Sequence, residues 1–194
     1  NCKNLSQETF ETMLHWDTPS LQTTSCMFIN CTKLESVNLN EWEMDNVTDL
    51  TSMFQGCESL RVFDACGLSL VKVQTARLMF ADCINLESID IENWNCVNLT
   101  AVDDIFLNVP KLQQIKVGEG VSSLIFNEFP LQLGEYISGA DGKWYAESDG
   151  QGYLPGDLPA NKADTYYASS TLLPPNPFDN SAETSVSPNV DTEK

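Results

Sequence analysis

The amino-acid sequence predicts an α/β fold of stacked repeats, because four stretches of the chain align with one another without a gap. They begin at Met27, Met53, Met79 and Ile105, so each starts 26 residues after the previous one. Self-similarity at a period of about 20–50 residues is typical of proteins in which each unit covers the apolar side of its neighbour. The chain is therefore expected to form one continuous core along the repeats.

Four apolar columns of the alignment recur in every unit, and the last two of them define a short strand. They contain Phe28, Phe54, Phe80 and Phe106; Leu34, Leu60, Leu86 and Leu112; Val37, Phe63, Ile89 and Ile115; and Leu39, Ala65, Ile91 and Val117. The last three columns have the L-x-x-L-x-L spacing of a leucine-rich repeat. Neighbouring strands belong to consecutive units, so the sheet must be parallel and the rest of each unit must be a crossover.

The crossover segment is predicted to be a short helix. Its apolar residues follow the spacing of one helical face. In the second aligned unit they are Val47, Leu50, Met53 and Phe54. Asn46 and Asn98 precede two such stripes and are expected to cap the first turn. The predicted fold class is a leucine-rich-repeat solenoid, with short parallel strands on its concave side and short helices on the other.

Composition divides the chain into three parts. Residues 1–124 are predicted to be the repeat solenoid, with an irregular N-terminal cap over 1–26 and regular units from residue 27. The 26-residue register is lost after Val121, and residues 125–170 are rich in Gly and aromatic residues, which predicts a small β-rich cap or module. Residues 171–194 are rich in Pro, Ser and acidic residues and are predicted to be a disordered tail.

The fuller repeat pattern is M-F-x-x-C-x-x-L followed by alternating apolar residues, Trp and N-V-T, and residues 42–60 match it closely. This pattern resembles the BspA-like class of bacterial leucine-rich repeats. The resemblance covers residues 2–120. It implies an extracellular, cell-surface or secreted bacterial protein with a role in adhesion, and it carries no catalytic residues.

The charge balance excludes some classes of partner. The chain has 28 acidic against 10 basic residues, a net charge of −18, and no basic cluster. Nucleic-acid binding needs a positive footprint, so a nucleic-acid partner is not expected. No apolar run is long enough to cross a bilayer, so direct membrane insertion is not expected either. The acidic surplus is interpreted as a solubility feature, or as a sign of a cationic partner.

The seven cysteines do not form a metal-binding pattern. Cys31, Cys57 and Cys83 occupy one column, with Cys2 as their N-terminal counterpart, and one thiol per unit suits buried packing better than a zinc site. The remaining three, Cys26, Cys66 and Cys96, lie in different columns, and a single disulfide between Cys2 and Cys26 stays open as an alternative. No metal and no cofactor are predicted.

No catalytic constellation is visible either. His15 is the single histidine and lies in a turn column with no nucleophile beside it. The acidic segment 141–152 has Lys143, Ala146 and Gly152 where an EF-hand loop needs an oxygen ligand, Gly and Glu. We therefore predict no catalytic residues and no enzymatic activity.

Two sets of residues are candidates for ligand contact. Residues beside the buried strand positions should face the concave surface: Asn38, Asn40, Asp64, Asp90, Glu92 and Lys116. The alternative for this set is a solvated polar face without a partner. The aromatic residues Trp144, Tyr145 and Tyr153 could stack on a ligand, or they could seal the last repeat as a cap. Solvent exposure of Trp144 and Tyr145 separates these two interpretations.

These patterns predict a non-catalytic bacterial surface or secreted binding module. Its partner would be a protein or glycan on a host cell, in the matrix or on other bacteria, bound through the concave repeat face. The alternatives are a structural spacer that displays another part of a larger surface protein, and carbohydrate binding through the C-terminal aromatics. A carbohydrate-active enzyme that works through the C-terminal aromatics is a further hypothesis.

Overall fold

The computed structural model describes residues 3–13, 18–132 and 134–175. The predicted features at Cys2, His15 and Trp16, and the tail from residue 176 onward, lie outside these residues. The strands are β1 (Ser36–Asn38), β2 (Val62–Asp64), β3 (Ser88–Ile91), β4 (Gln114–Val117), β5 (Trp144–Ala146), β6 (Gly152–Tyr153) and β7 (Asp164–Tyr167). The helices are α1 (Gln7–Met13), α2 (Ser123–Asn127) and a 3₁₀ turn, Ser170–Leu172.

The seven strands form one mixed sheet in the order β1-β2-β3-β4-β7-β5-β6. Strands β1 to β4 are parallel, and their pairing aligns Val37, Phe63, Ile89 and Ile115, which are 26 residues apart. Strand β7 then pairs antiparallel with β4, and β5 pairs antiparallel with both β7 and β6. The sequence period therefore sets the register of the first four strands only.

The predicted fold class, a leucine-rich-repeat solenoid of parallel strands opposite helices, is wrong. The sheet is mixed, and neither α-helix lies in a crossover between parallel strands: α1 precedes β1, and α2 follows β4. In the described residues the crossovers between β1 and β4 consist of turns and isolated parallel bridges, which join Thr23, Asp49, Thr75 and Ala101.

Left-handed backbone explains why the crossovers are not helical. Ser52 has a φ of 55° and Gly56 a φ of 71°, whereas a helix needs a φ near −63°. The same left-handed conformation recurs at the equivalent positions of every unit, which form two columns of the repeat. One column contains Cys26, Ser52, Leu78 and Asp104, and the other contains Asn30, Gly56, Asp82 and Asn108. The N–H groups of alternate residues instead donate to the next unit, as from Phe54 to the Met79 carbonyl at 3.0 Å.

The two asparagines predicted as helix caps have a different role, because no helix follows them. Asn46 donates its side-chain N–H to the Pro19 carbonyl at 2.9 Å, and Asn98 donates to the Val71 carbonyl at 2.6 Å. Each bond links two consecutive units. The prediction of N-caps at these residues is therefore wrong, and the asparagines stabilise the stacking of units instead.

The core is an aromatic stack surrounded by aliphatic columns. Phe28, Phe54, Phe80 and Phe106 stack in sequence with ring centroids 5.4, 6.1 and 5.9 Å apart. All four rings are buried, and full burial of such a side chain contributes about 1.5–3 kcal/mol. These columns were read from the sequence, and their burial confirms that part of the prediction.

The cysteine column is structural. Cys57 and Cys83 are buried, and their thiols donate to the carbonyls of Phe28 and Phe54, each at 3.2 Å. Burial raises the pKa of the Cys57 thiol to about 12. The thiol therefore stays protonated at neutral pH, and its burial confirms the packing interpretation of this column.

At the N-terminal edge of the sheet a side chain takes the place of a neighbouring strand. Within the array, the Arg61 N–H donates to the Glu35 carbonyl at 2.8 Å, and later units repeat this bond. In the part of the chain that the structure describes, no strand precedes β1, and the Gln7 amide oxygen instead accepts from the N–H groups of Glu35 and Ser36 at 3.1 Å each. Helix α1 therefore covers this edge and also places Phe10 against Phe28.

The C-terminal residues continue the same core. The predicted boundary between residues 124 and 125 lies inside α2, and β7 pairs directly with β4. Phe129 packs against Phe106 at 6.0 Å and against Trp144 at 5.1 Å. The aromatic residues of the C-terminal segment therefore cover the last parallel strand.

Leu78 is expected to carry backbone strain, because its φ is 54° and a left-handed residue with a Cβ costs roughly 1–2 kcal/mol. Leu78→Asn should give a free energy of unfolding about 1 kcal/mol higher than Leu78→Ala, since Asn tolerates this conformation better. Denaturant unfolding of both variants measures the difference. The same pair at exposed Leu107, which has no positive φ, should show no such gain. An equal gain in the free energy of unfolding at both sites would contradict the backbone strain expected at Leu78.

Candidate functional site

The candidate site is the solvent face of the sheet. Successive strand residues point to opposite faces, so the residues beside the buried positions share the other face. Strand pairing aligns them in a row across five strands: Asn38, Asp64, Asp90, Lys116 and Thr165. Four of these five residues were predicted as contact residues from the sequence, and the pairing brings them together.

A local turn explains the acidic and amide residues in this row. The backbone N–H of Asn40 donates to Asn38 Oδ1 at 3.0 Å, and the N–H of Glu92 donates to Asp90 Oδ1 at 3.1 Å. Cys66 and Asp64 form the same bond at 3.3 Å. Asn and Asp favour such turns because their short side chains bond their own backbone two residues on. One oxygen of each side chain is therefore used to end the strand.

The second polar atom of each side chain, Nδ2 in Asn38 and Oδ2 in the two aspartates, takes part in contacts along the row. Asn38 Nδ2 donates to Asp64 Oδ2 at 3.4 Å. Lys116 Nζ lies 3.4 Å from Asp90 Oδ2 and 2.5 Å from Glu92 Oε2, and the bond to Glu92 raises the pKa of Lys116. These groups are 29–40% exposed, so their ion pairs contribute little to stability. They set the charge pattern of the face.

One group of potential metal ligands lies on this face, formed by Asp64, Cys66 and Asp90, whose ligand atoms are within 4.8 Å of one another. Desolvation, followed by the hydrogen bond with Asp64, raises the pKa of the Cys66 thiol. A structural zinc site has four ligands, and calcium needs six to eight oxygen ligands. Three partly exposed groups with two carboxylates suit neither ion, so we assign no metal to this group.

The three aromatic residues predicted to stack on a ligand have different environments. Trp144 is fully buried, its indole N–H donates to the Pro130 carbonyl at 3.0 Å, and its ring packs on Phe129. Its prediction as a stacking residue is wrong, because strand alternation turns Trp144 into the core and Tyr145 outward. Tyr153 is half-buried, and its hydroxyl donates to Asp149 Oδ2 at 3.1 Å.

Tyr167 is a surface residue that the sequence analysis did not choose. It pairs with Tyr145 across β5 and β7, on the face opposite buried Tyr166. Its hydroxyl donates to Glu147 Oε2 at 3.1 Å, and the Tyr145 hydroxyl donates to Asp141 Oδ2 at 2.9 Å. The carboxylate at Tyr145, and desolvation at Tyr167, raise the pKa of both phenols. Alternation along the strand showed only that one of the adjacent residues Tyr166 and Tyr167 faces outward, and the pairing of β7 with β5 identified which one.

An open cleft of about 250 Å³ connects the polar row with the C-terminal strands. Its lining includes Glu92, Lys116, Glu147 and Thr165. Asp164 lies at the base of the cleft and has a structural role. Its side chain is 2% exposed, accepts a hydrogen bond from the Ser148 N–H at 3.1 Å and forms an ion pair with Lys162 at 3.1 Å. The cleft therefore contains the Lys116 ammonium and two partly exposed carboxylates.

Residues 2–118 match a family profile described as "Mycoplasma protein of unknown function, DUF285". Curated proteins and solved structures give no match to this chain. Within the described residues, every helix is too short to span a membrane.

Proposed function

The chain belongs to the DUF285 family of Mycoplasma proteins of unknown function, so we propose its role from the residues and charge of its surface. We infer that it is a non-catalytic binding module that docks a protein on the solvent face of its sheet. The partner belongs to a host cell, the matrix or another bacterium, and the chain acts at the cell surface or after secretion. The resemblance of its repeats to BspA-like surface repeats supports this location.

One observation carries the proposal: six residues chosen from the sequence lie in two adjacent rows at the solvent face of the sheet. Asn38, Asp64, Asp90 and Lys116 form the first row, across strands β1 to β4. Asn40 and Glu92 belong to the second row, in the turns that follow β1 and β3. The buried aromatic stack and the turns at the strand ends hold both rows in place. A fixed surface avoids the entropic cost of ordering groups on association.

The charge of this face favours a partner with basic groups. The two rows contain three carboxylates, Asp64, Asp90 and Glu92, and one ammonium group, that of Lys116, which pairs with Asp90 and Glu92. The two rows therefore carry a negative surplus. Charge complementarity raises the association rate and selects among partners. The net charge of −18 adds a long-range attraction for basic proteins.

The proposal predicts that the double change Asp64→Lys and Asp90→Lys lowers affinity for the partner by at least about tenfold, since like charges then oppose the basic groups. The intact chain would be immobilised against a panel of purified matrix proteins and host and bacterial surface proteins. Affinity would be measured by biolayer interferometry for each protein that binds the native chain. The dissociation constants of native and variant chains give the comparison.

The matched control is Glu58→Lys with Glu119→Lys, two exposed residues outside the two rows. Both double variants change the net charge from −18 to −14, because each carboxylate-to-lysine change adds two charges. The control should bind within about twofold of the native chain if the face determines docking. An equal loss in both variants, or a native chain that binds no member of the panel, would refute the proposal.

A further inference from the structure

We propose that Tyr145 and Tyr167 form a platform that binds the ring of a neutral sugar. This site is separate from the protein-docking rows, and it goes beyond the function proposed above. It also differs from the aromatic set predicted from sequence, because Trp144 is buried and Tyr167 was not included. Four features of the two tyrosines support it.

The first feature is their placement side by side. Tyr145 and Tyr167 are directly paired residues of antiparallel strands, so their side chains share one face with Cβ atoms about 4.5–5.5 Å apart. Their neighbours Ala146 and Tyr166, also directly paired, are buried on the other face. The two half-buried side chains therefore lie side by side at the C-terminal side of the sheet.

The second feature is that both rings are held in position. Their hydroxyls are bound by Asp141 and Glu147, and Gln114 Nε2 donates to the Tyr167 hydroxyl at 3.4 Å. These bonds restrict rotation of the rings before any ligand arrives. A preorganised surface loses less side-chain entropy when it binds.

The third feature is the glycine beside Tyr145. A Cβ added at Gly152 would lie 2.8 Å from Tyr145 Cε1 and 3.0 Å from Cζ. The ring therefore rests on the Gly152 backbone. This contact supports one side of the ring and leaves the remaining surface of the half-buried side chain for a ligand.

The fourth feature is the polar surround, which identifies the class of ligand. The Asp141, Glu147 and Gln114 side chains lie at the phenol oxygens, at the edge of the platform. Planar carboxylate and amide groups at this edge can accept from, or donate to, hydroxyls around a sugar ring that lies on the aromatic surface. The carboxylates repel uronic and sialic acids, so the ligand is a neutral sugar.

A basic peptide is the rival ligand, because cations also bind aromatic faces. The carboxylates here already bond the phenol hydroxyls at 2.9 and 3.1 Å and lie at the ring edges rather than above the rings. A cation above a ring would be attracted by these carboxylates only from the ring edge, without a direct ion pair. The geometry therefore favours a ligand with hydroxyls at its perimeter.

The test uses the intact chain and a panel of neutral oligosaccharides: glucose, galactose and mannose oligomers and N-acetylglucosamine oligomers. Sialylated and uronic-acid oligomers and a decalysine peptide complete the panel. Binding would be measured by isothermal titration calorimetry. For the neutral sugar that binds, Tyr145→Ala and Tyr167→Ala should each lower affinity by about tenfold, because each removes half of the platform.

Three controls keep the result specific. Tyr145→Phe and Tyr167→Phe keep the ring and should bind within about threefold of the native chain. Tyr136→Ala removes a tyrosine that is 59% exposed and lies outside the sheet, and it should have no effect. Thermal unfolding of each alanine variant shows whether a loss of binding comes from a loss of fold. If an alanine variant does not fold, the Phe variants and the milder change Tyr145→Leu decide whether the rings are needed for sugar binding.

The proposal is overturned if no neutral sugar binds the native chain, if binding survives both alanine changes in folded protein, or if decalysine rather than sugar requires the two rings. The Asp64→Lys, Asp90→Lys variant should bind the sugar as the native chain does. The sugar-binding proposal can therefore be refuted while the protein-docking proposal stands, and the reverse outcome can be measured in the same way.

Discussion

Phe54→Ala is expected to lower the free energy of unfolding by about 3–5 kcal/mol, the usual range for truncating a buried phenylalanine. The Phe54 ring is fully buried and stacks between Phe28 and Phe80, with centroid distances of 5.4 and 6.1 Å. It also contacts the edge of Phe63 at 5.4 Å. The surrounding rings belong to three different units, so the cavity cannot collapse without shifting the strands that they carry. Equilibrium denaturation in urea measures the loss.

Phe54→Leu is the matched comparison, because it keeps most of the buried volume and loses only the ring contacts. We expect it to cost about 1–1.5 kcal/mol, well below the alanine variant. A loss under about 1 kcal/mol for Phe54→Ala would mean that the stack does not hold neighbouring units together. The proposed packing of the core would then be incorrect.

Gly118→Ala is expected to destabilise the protein by about 3 kcal/mol or more, at the upper end of overpacking effects. An added Cβ would lie 1.7 Å from the Glu92 carbonyl oxygen and 2.8 Å from its carbon. Both atoms belong to the backbone of the preceding unit, so no side-chain rotation can relieve the overlap. The strands β3 and β4 would have to separate at their ends, beside the Glu92–Lys116 ion pair.

Thermal and denaturant unfolding of Gly118→Ala measure this effect, and Gly134→Ala is the control. Among the described residues, the atom nearest to a Cβ added at Gly134 would be the Ala140 carbonyl oxygen at 3.7 Å, an ordinary van der Waals distance. Gly134→Ala should change the free energy of unfolding by less than about 0.5 kcal/mol. Equal stability of the two variants would show that the backbones do not approach each other at Gly118.

The sequence already contained a signal for the left-handed backbone that replaced the predicted helices. One of the two columns holds Asn30, Gly56, Asp82 and Asn108. Gly, Asn and Asp are the residues that adopt this conformation most readily. The other column gave no such signal, because it contains Leu78, and the apolar stripe between the columns fits a helix equally well. Hydrogen bonds to the next unit decided between the two structures.

The candidate site was predictable where it depended on alternation along one strand. Asp64 and Asp90 could be placed on the polar face because the positions on both sides of them are apolar and recur with the repeat. Trp144 and Tyr145 could not be assigned to faces in this way, since both are aromatic and no repeat covers them. Their assignment needed the antiparallel pairing of β5 with β7, which joins residues about 20 apart in sequence.

The sequence by itself determined which residues of the repeats are buried and which strand positions align, because a fixed 26-residue period repeats the same apolar columns in every unit. Only the tertiary structure decided the backbone of the crossovers and the antiparallel closure by β7. Both depend on hydrogen bonds between segments distant in sequence, and local composition does not encode such bonds. For the same reason the Tyr145–Tyr167 platform became visible only once β5 and β7 were paired.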